Sequence, residues 1–161
     1  MEAVELEYVG FWARVGATII DTVLILLVTT PLMLAFSGSS YWVYTDSYWV
    51  YTSLTEGPIA FLVQWVLPAI AVIIFWMTRQ ATPGKMVILA KIVDADSGKP
   101  PTTGQIIGRY FAYYVSSIPL GLGFLWIAFD RKKQGWHDKL AGTVVVRPKN
   151  RNPEQVKFKN A

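Results

Sequence analysis

Three long stretches of the chain contain no charged residue apart from Asp21, and this pattern restricts the possible folds more than any other feature. They are Val15–Phe36, Ile59–Met77 and Tyr110–Phe129. A helix rises about 1.5 Å per residue, so about 20 apolar residues span a hydrocarbon core about 30 Å thick. Each stretch meets that length. The sequence therefore predicts an all-α integral membrane protein built as a small helical bundle.

Two of the stretches predict full crossings, at about 11–36 and 58–78. An acidic lead-in, residues 1–12, is expected to enter the first helix along the membrane interface. The third hydrophobic segment, about 104–130, contains the helix-breaking sequence SSIPLGLG in its middle. This segment is either broken into a re-entrant hairpin, with half-helices at about 104–118 and 120–130, or forms a third crossing.

The basic residues favour the hairpin. The connection 37–57 has no Lys or Arg, whereas four lie in 79–105 and nine follow Asp130. Basic segments stay on the cytoplasmic side. A single third crossing would place 79–105 and the residues after Asp130 on opposite sides of the membrane. We therefore expect both termini to be cytoplasmic.

Two β-prone runs also favour a third segment that begins and ends on the same side of the membrane. They are MVILAKIVD, at about 86–94, and TVVVR, at about 143–147. Strands pair only when they lie on a common side of the membrane. The pattern predicts a small cytoplasmic β element formed by the two runs.

Composition excludes several classes of function. Charged residues make up 16% of the chain, against about a quarter in ordinary soluble domains. There is no cysteine and one histidine, so disulfides and multi-thiolate or multi-histidine metal sites are ruled out. The net charge is +4, and the basic residues flank the membrane segments. This position indicates contact with anionic lipid headgroups and a role in setting topology, and it does not indicate nucleic-acid binding. Without a recognisable catalytic or phosphate-loop motif, we expect no enzyme activity and no cofactor.

An aromatic repeat occupies the first connection, where YWVYT at 41–45 recurs at 48–52. Tyr and Trp concentrate at membrane interfaces, so the repeat indicates an interfacial segment. An aromatic platform for a ligand is the alternative interpretation.

The first predicted helix carries two charges on one face. Positions seven apart return to within about 20° on a helix, so Arg14 and Asp21 lie on the same face with the small residues Gly10 and Ala17. Small residues permit close approach of another helix, and the charges are then expected to face that helix or a wet cavity.

An aspartate inside a membrane helix has to be compensated. Asp21 lies two turns from Arg14, so pairing is expected through water or a third group, and Arg109 and Lys85 are candidate partners. A carboxylate placed in this way is a plausible ligand for a proton or cation. The alternative is an ion pair that only fixes helix packing.

The other dense group of polar residues is DRKKQGWHDKLAGT, residues 130–143. The adjacent His137 and Asp138 either handle protons, given the imidazole's ordinary pKa near 6.5, or form a structural turn. Asp130 begins the group and is a further candidate.

Taken together, Arg14, Asp21, the TPGK turn at 82–85 and the closing WHDKLAGTVVV resemble the RDD family of membrane proteins, named for one arginine and two aspartates. The first two letters match Arg14 and Asp21. The second aspartate matches Asp138, with Asp130 as the alternative. The resemblance covers about 8–148, interpreted as a single transmembrane domain, and leaves 149–161 as a basic polar tail.

The resemblance implies a multi-pass protein of a bacterial inner membrane, in a family suspected of transporting undefined ligands or ions. We therefore expect a component of cation- or proton-coupled transport that uses an Arg–Asp pair. Two crossings enclose little space, so a homo-oligomer or a partner membrane protein is also expected. The alternative is a non-catalytic membrane scaffold or assembly factor that uses the same residues for helix packing.

Overall fold

A computed structural model of the protein describes residues 5–37 and 58–149. The aromatic repeat and nearly all of the basic tail lie outside the described residues. The described part contains helices α1 to α7, one π-helical segment and strands β1 to β3. In chain order they are β1 Leu6–Tyr8, α1 Phe11–Ser37, α2 Pro58–Phe61, the π segment Leu62–Val66, α3 Leu67–Arg79, α4 Pro83–Val87, β2 Lys91–Asp94, α5 Thr103–Ser117, α6 Leu122–Phe129, α7 Trp136–Leu140 and β3 Thr143–Pro148.

Two helical segments are long and apolar enough to cross a bilayer, and they confirm the two predicted crossings. The first is within α1, and the second runs through the π segment and α3 into α4. Their large apolar side chains point outward, as those of Leu27, Val28, Trp65 and Ile74 do. Such an exposed apolar surface belongs in lipid, where these side chains replace water contacts with hydrocarbon.

The third apolar segment is broken where the sequence predicted. α5 and α6 meet at an angle of 101°. Leu120 and Gly121 adopt positive φ angles of 51° and 76°, which no helix can continue through. At the other end α5 begins with a capping box, in which Thr102 and Gln105 bond each other's backbone N–H groups.

The three strands form one antiparallel sheet in the order β1-β3-β2. Ile92 lies opposite Val145 in the β2–β3 pair, and Glu7 lies opposite Arg147 in the β1–β3 pair. Within the lead-in, Leu6–Tyr8 forms the edge strand β1, which the sequence had not predicted. The predicted strand at 86–94 is also shorter than expected, because Pro83 starts a short helix that extends to Val87.

The sheet fixes the course of the third segment. β1 precedes the first crossing, β2 follows the second, and β3 follows α6. Since hydrogen-bonded strands lie on one side of a membrane, the chain between β2 and β3 must leave and return on that side. This arrangement favours a re-entrant hairpin over a third crossing. Its tip carries Ile118 and Leu120, which are 80% and 97% exposed and suited to insertion among acyl chains.

The main apolar core lies where the sheet meets the membrane helices. Val9, Trp76, Ile92, Ile106 and Val145 are buried together there. Val9 and Trp76 lie at the ends of the two crossings that are nearest the sheet. Ile106 comes from α5, and Ile92 and Val145 come from the sheet. This packing brings α7 against α5 and places Asp138 of α7 next to Arg14 of α1.

Candidate functional site

The site is centred on Asp138, which lies between two arginines. Arg14 Nη1 is 2.5 Å from Asp138 Oδ2, and Arg109 Nη1 is 2.5 Å from Asp138 Oδ1. Asp138 and Arg109 are fully buried, and Arg14 is 7% exposed. Asp138 belongs to α7, Arg14 to α1 and Arg109 to α5. Their ion pairs therefore join the first crossing to α5 and to α7.

The guanidinium of Arg14 is held by backbone as well as by Asp138. Its Nε donates to Val9 O at 3.0 Å and its Nη2 donates to Lys133 O at 2.6 Å. Gly135 N donates to Asp138 Oδ2 at 3.1 Å, which caps the first turn of α7. These bonds tie the start of α1, the basic turn and the first turn of α7 to the two charged groups.

Burial alone would raise the pKa of Asp138, but the charges of Arg109 and Arg14 outweigh it and hold this pKa well below its usual range. The carboxylate therefore stays ionised at any physiological pH. This state suits a permanent counter-ion and does not suit a proton carrier.

His137 lies in an aromatic pocket beside the cluster. Its ring centroid is 4.1 Å from that of Tyr113 and 5.3 Å from that of Phe124. Ser116 Oγ lies 3.3 Å from Nδ1 and also accepts the His137 backbone N–H at 3.0 Å. Burial lowers the pKa of His137 to about 3, so the ring is neutral at pH 7. These contacts favour the structural interpretation of the His–Asp pair.

Asp21 lies apart from this cluster and faces the TPGK turn. Its Oδ2 accepts from Thr82 Oγ1 at 2.5 Å, and its Oδ1 accepts from Gly84 N at 2.7 Å. A Cβ built on Gly84 would be 2.0 Å from Ala17 O, so α4 contacts α1 more closely than any side chain at position 84 permits. The small face predicted on α1 is thus occupied by α4.

The expected association of Arg14 with Asp21 is corrected by this geometry. Arg14 pairs with Asp138, and among the described residues no Lys or Arg lies within 4.0 Å of the Asp21 carboxylate. Neither Arg109 nor Lys85 is an ion-pair partner of Asp21. The hydroxyl and the backbone N–H of the turn compensate it instead.

Asp130 takes part in a separate, more exposed arrangement. Its Oδ1 is 2.5 Å from Lys139 Nζ, and its Oδ2 accepts from the backbone N–H groups of Lys132 and Gln134. It therefore stabilises the basic turn before α7. Asp130 and Asp138 were the two candidates for the second family aspartate. Asp138 is the one that contacts Arg14, whereas Asp130 pairs with Lys139.

Trp76 is a site residue that sequence reasoning missed. Its ring lies under two cations, with Arg109 Cζ at 5.4 Å and Lys85 Nζ at 5.6 Å from the ring centroid. Thr143 was also missed, and its hydroxyl accepts from Arg109 Nη1 at 2.6 Å. No local signal marks either residue, because a Trp near a helix end and a Thr in a strand are ordinary. Thr82 could have been found through the TPGK turn.

The arrangement provides charge compensation and anchoring. Among the described residues no group of three His, Asp or Glu side chains is placed to hold a metal ion. The acidic groups accept from arginines, a hydroxyl or backbone N–H groups. These contacts link the sheet-side ends of the membrane helices.

Fold and site together define a class: a membrane protein with two crossings and a broken third apolar segment, joined to a sheet by a buried Arg–Asp–Arg cluster. The chain belongs to the RDD family, which it matches over residues 8–142.

Its relatives carry little functional information. The chain is 31% identical over 149 residues to the uncharacterized protein YxaI of Bacillus subtilis, covering 85% of this chain and 95% of YxaI. It is 29% identical to the uncharacterized membrane protein YteJ of the same organism, over 88% of this chain and 82% of YteJ. It is 43% identical over 75 residues to the uncharacterized protein RP437 of Rickettsia prowazekii, covering 47% of this chain and 41% of RP437. No solved structure matches the chain significantly.

Proposed function

We propose that the protein is a component of small-solute transport coupled to a cation or proton, with Asp21 as the coupling group. The observation that carries this proposal is the state of Asp21. It is a carboxylate inside the first crossing, partly exposed, with hydrogen bonds to Thr82 and Gly84 and no cationic partner among the described residues. An ionisable group at membrane depth is a functional candidate by default.

Neutralising Asp21 would act directly on the contact between α1 and α4. Both of its oxygens accept hydrogen bonds from the TPGK turn, and a proton or bound cation weakens such bonds because it withdraws negative charge from the acceptors. The turn leads from the second crossing into β2. Occupation of Asp21 would therefore change how the two crossings pack, which is the kind of linkage that a coupled transporter needs.

Interrupted membrane helices further support a transport role. The hairpin is bent by 101° and a π-helical segment begins the second crossing. π segments and broken helices occur frequently at functional sites and line the ligand sites of many transporters. Two crossings enclose little space, so the transporting unit is proposed to be a homo-oligomer or a complex with a partner membrane protein. We place it in a bacterial inner membrane with both termini cytoplasmic, and without enzyme activity.

The proposal is tested by flux into proteoliposomes that contain only the purified protein. A gradient of Na⁺, K⁺ or H⁺ should drive ion flux into vesicles that contain the unsubstituted parent protein, and the Asp21→Asn substitution should abolish this flux. Asp96→Asn is the matched control, since it removes an exposed carboxylate outside the membrane helices. Equal flux in the parent and Asp21→Asn would refute the role of Asp21, and absence of flux in the parent would exclude a transporting homo-oligomer.

A second candidate is a non-catalytic scaffold, and the geometry of Asp138 favours it. This carboxylate and its two arginines hold α1, α5 and α7 together and have a structural use that requires no transported ion. The scaffold predicts that the chain purifies in a fixed ratio with another membrane protein and shows no flux alone. A chain that purifies alone and carries flux would exclude it.

A further inference from the structure

Buried cations outnumber buried carboxylates around Asp138. Arg14, Arg109 and Lys85 are 7%, 0% and 7% exposed, and Asp138 is the carboxylate that contacts the two arginines. Among the described residues no acidic group lies within 4.0 Å of Lys85 Nζ. A buried charge without a counter-charge is strongly unfavourable, so this excess of positive charge calls for a negative partner.

Three buried N–H groups in the described part of the protein have no well-aligned hydrogen-bond acceptor. They are Arg109 Nε, Arg109 Nη2 and Trp76 Nε1. The Tyr113 hydroxyl is a polar group within hydrogen-bonding reach of the guanidinium. Buried donors are satisfied in the great majority of cases, so a cluster of unpartnered ones is unusual.

Both cations lie against the ring of Trp76. Arg109 Cζ and Lys85 Nζ both lie within 5.6 Å of the Trp76 ring centroid. Arg109 uses Nη1 for Thr143 and Asp138, which leaves Nε and Nη2 on the side of the guanidinium that binds two oxygens of one anion. Lys85 adds a point charge and Trp76 adds an N–H donor.

We propose that Lys85, Arg109 and Trp76 form a binding site for an oxyanion with the chemistry of a phosphate group. A tetrahedral oxyanion accepts a bidentate pair from Arg109 while another oxygen accepts from Lys85, and its charge offsets the excess of buried cations. The site is at the sheet-side ends of the membrane helices, and its chemistry suits both free phosphate and a phospholipid headgroup. It is separate from Asp21 and does not depend on transport.

Binding is measured on the full chain in maltoside micelles, whose headgroups carry no phosphate. One arm titrates inorganic phosphate by calorimetry, with chloride at equal ionic strength as the reference. The other arm incubates the protein with phosphatidylglycerol or with an uncharged diacylglycerol and detects retained lipid by native mass spectrometry. Saturable phosphate binding identifies the free anion as the source, and selective retention of phosphatidylglycerol identifies the headgroup.

Lys85→Met should weaken whichever binding is seen by about tenfold or more, the usual effect of losing a charged hydrogen bond. Lys85→Arg should retain it, and Trp76→Phe, which keeps the ring and removes the N–H, should weaken it several-fold. Lys132→Met is the matched control, because it removes one exposed ammonium from the basic turn and should bind like the parent. The site is refuted if the parent binds neither ligand, or if Trp76→Phe and a folded Lys85→Met both bind like Lys132→Met.

Discussion

Arg14 and Asp138 are 124 positions apart in the chain, yet Nη1 of the first and Oδ2 of the second are 2.5 Å apart with both side chains buried. Arg109 binds the other oxygen of the same carboxylate. The first crossing, the hairpin and α7 therefore meet at one negative charge. Removal of that charge would leave two arginines buried without a counter-ion.

Asp138→Asn is predicted to destabilise the fold by about 3–5 kcal/mol, the usual cost of breaking a buried ion pair from one side. The measurement is thermal or denaturant-induced unfolding in detergent, followed by circular dichroism. Glu5→Gln serves as the control, because Glu5 is more than half exposed and its pair with Lys149 is on the surface. It should change stability by about 1 kcal/mol or less. Equal effects of the two substitutions would contradict a central role for Asp138.

Gly84→Ala is predicted to disrupt the contact between α1 and α4. Its Cβ would lie 2.0 Å from Ala17 O, which is backbone and cannot rotate away. The helices must separate, so the Asp21 hydrogen bonds to Thr82 and Gly84 should be lost as well. We expect destabilisation of about 1–3 kcal/mol, typical of overpacking.

Gly108→Ala is the matched control for that experiment, since no atom lies within 4 Å of a Cβ built at this position of α5. It should leave stability unchanged or raise it by up to about 1 kcal/mol, because alanine favours a helix interior. Both proteins are compared with the parent by thermal unfolding. A Gly84→Ala protein as stable as Gly108→Ala would show that the close contact is dispensable.

Stability is predicted to fall as the pH drops from 6.5 toward 3. His137 is the only histidine in the chain, and its pKa in the folded state is about 3 against an ordinary value near 6.5. Below pH 6.5 the unfolded chain binds a proton that the folded chain does not, so the folded state loses stability as the pH falls. The loss between pH 7 and 5 should be about 2 kcal/mol.

His137→Phe should flatten this pH dependence above about pH 5, where carboxylates do not yet titrate, whatever its effect on stability at pH 7. The check is the free energy of unfolding at several pH values for both proteins. A parent whose stability is constant from pH 7 to 5 would show that His137 takes up its proton as readily in the folded state as in the unfolded chain, which contradicts the lowered pKa.

The hairpin predicts that Asp96 and Lys132 lie on the same side of the membrane. Both side chains are exposed, one after β2 and the other after α6. The chain has no cysteine, so Asp96→Cys and Lys132→Cys each give a single thiol for labelling with a membrane-impermeant maleimide in intact cells. Neither should react until the membrane is made permeable, whereas Ser47→Cys in the first connection should react at once. Opposite labelling of the first two positions would establish a third crossing.

Much of the architecture could be predicted because it depends on local sequence. The length of an apolar stretch decides whether a helix can cross a bilayer, and the SSIPLGLG interruption decides where a helix must stop. Both predictions are confirmed by the described helices. The strand Leu6–Tyr8 was missed because three residues are too few to show a periodic pattern, and only the exposed edge of β3 makes them a strand.

The candidate site shows the limit of such reasoning. The sequence by itself determined that Arg14 and Asp21 lie on one face of the first helix, since helical periodicity is a local property. Only the tertiary structure decided that Arg14 pairs with Asp138 and that Asp21 holds the turn at Gly84. The physical reason is that a buried charge binds the counter-charge or donor that packing brings to it. That packing depends on the sheet and the hairpin, which join residues more than a hundred positions apart.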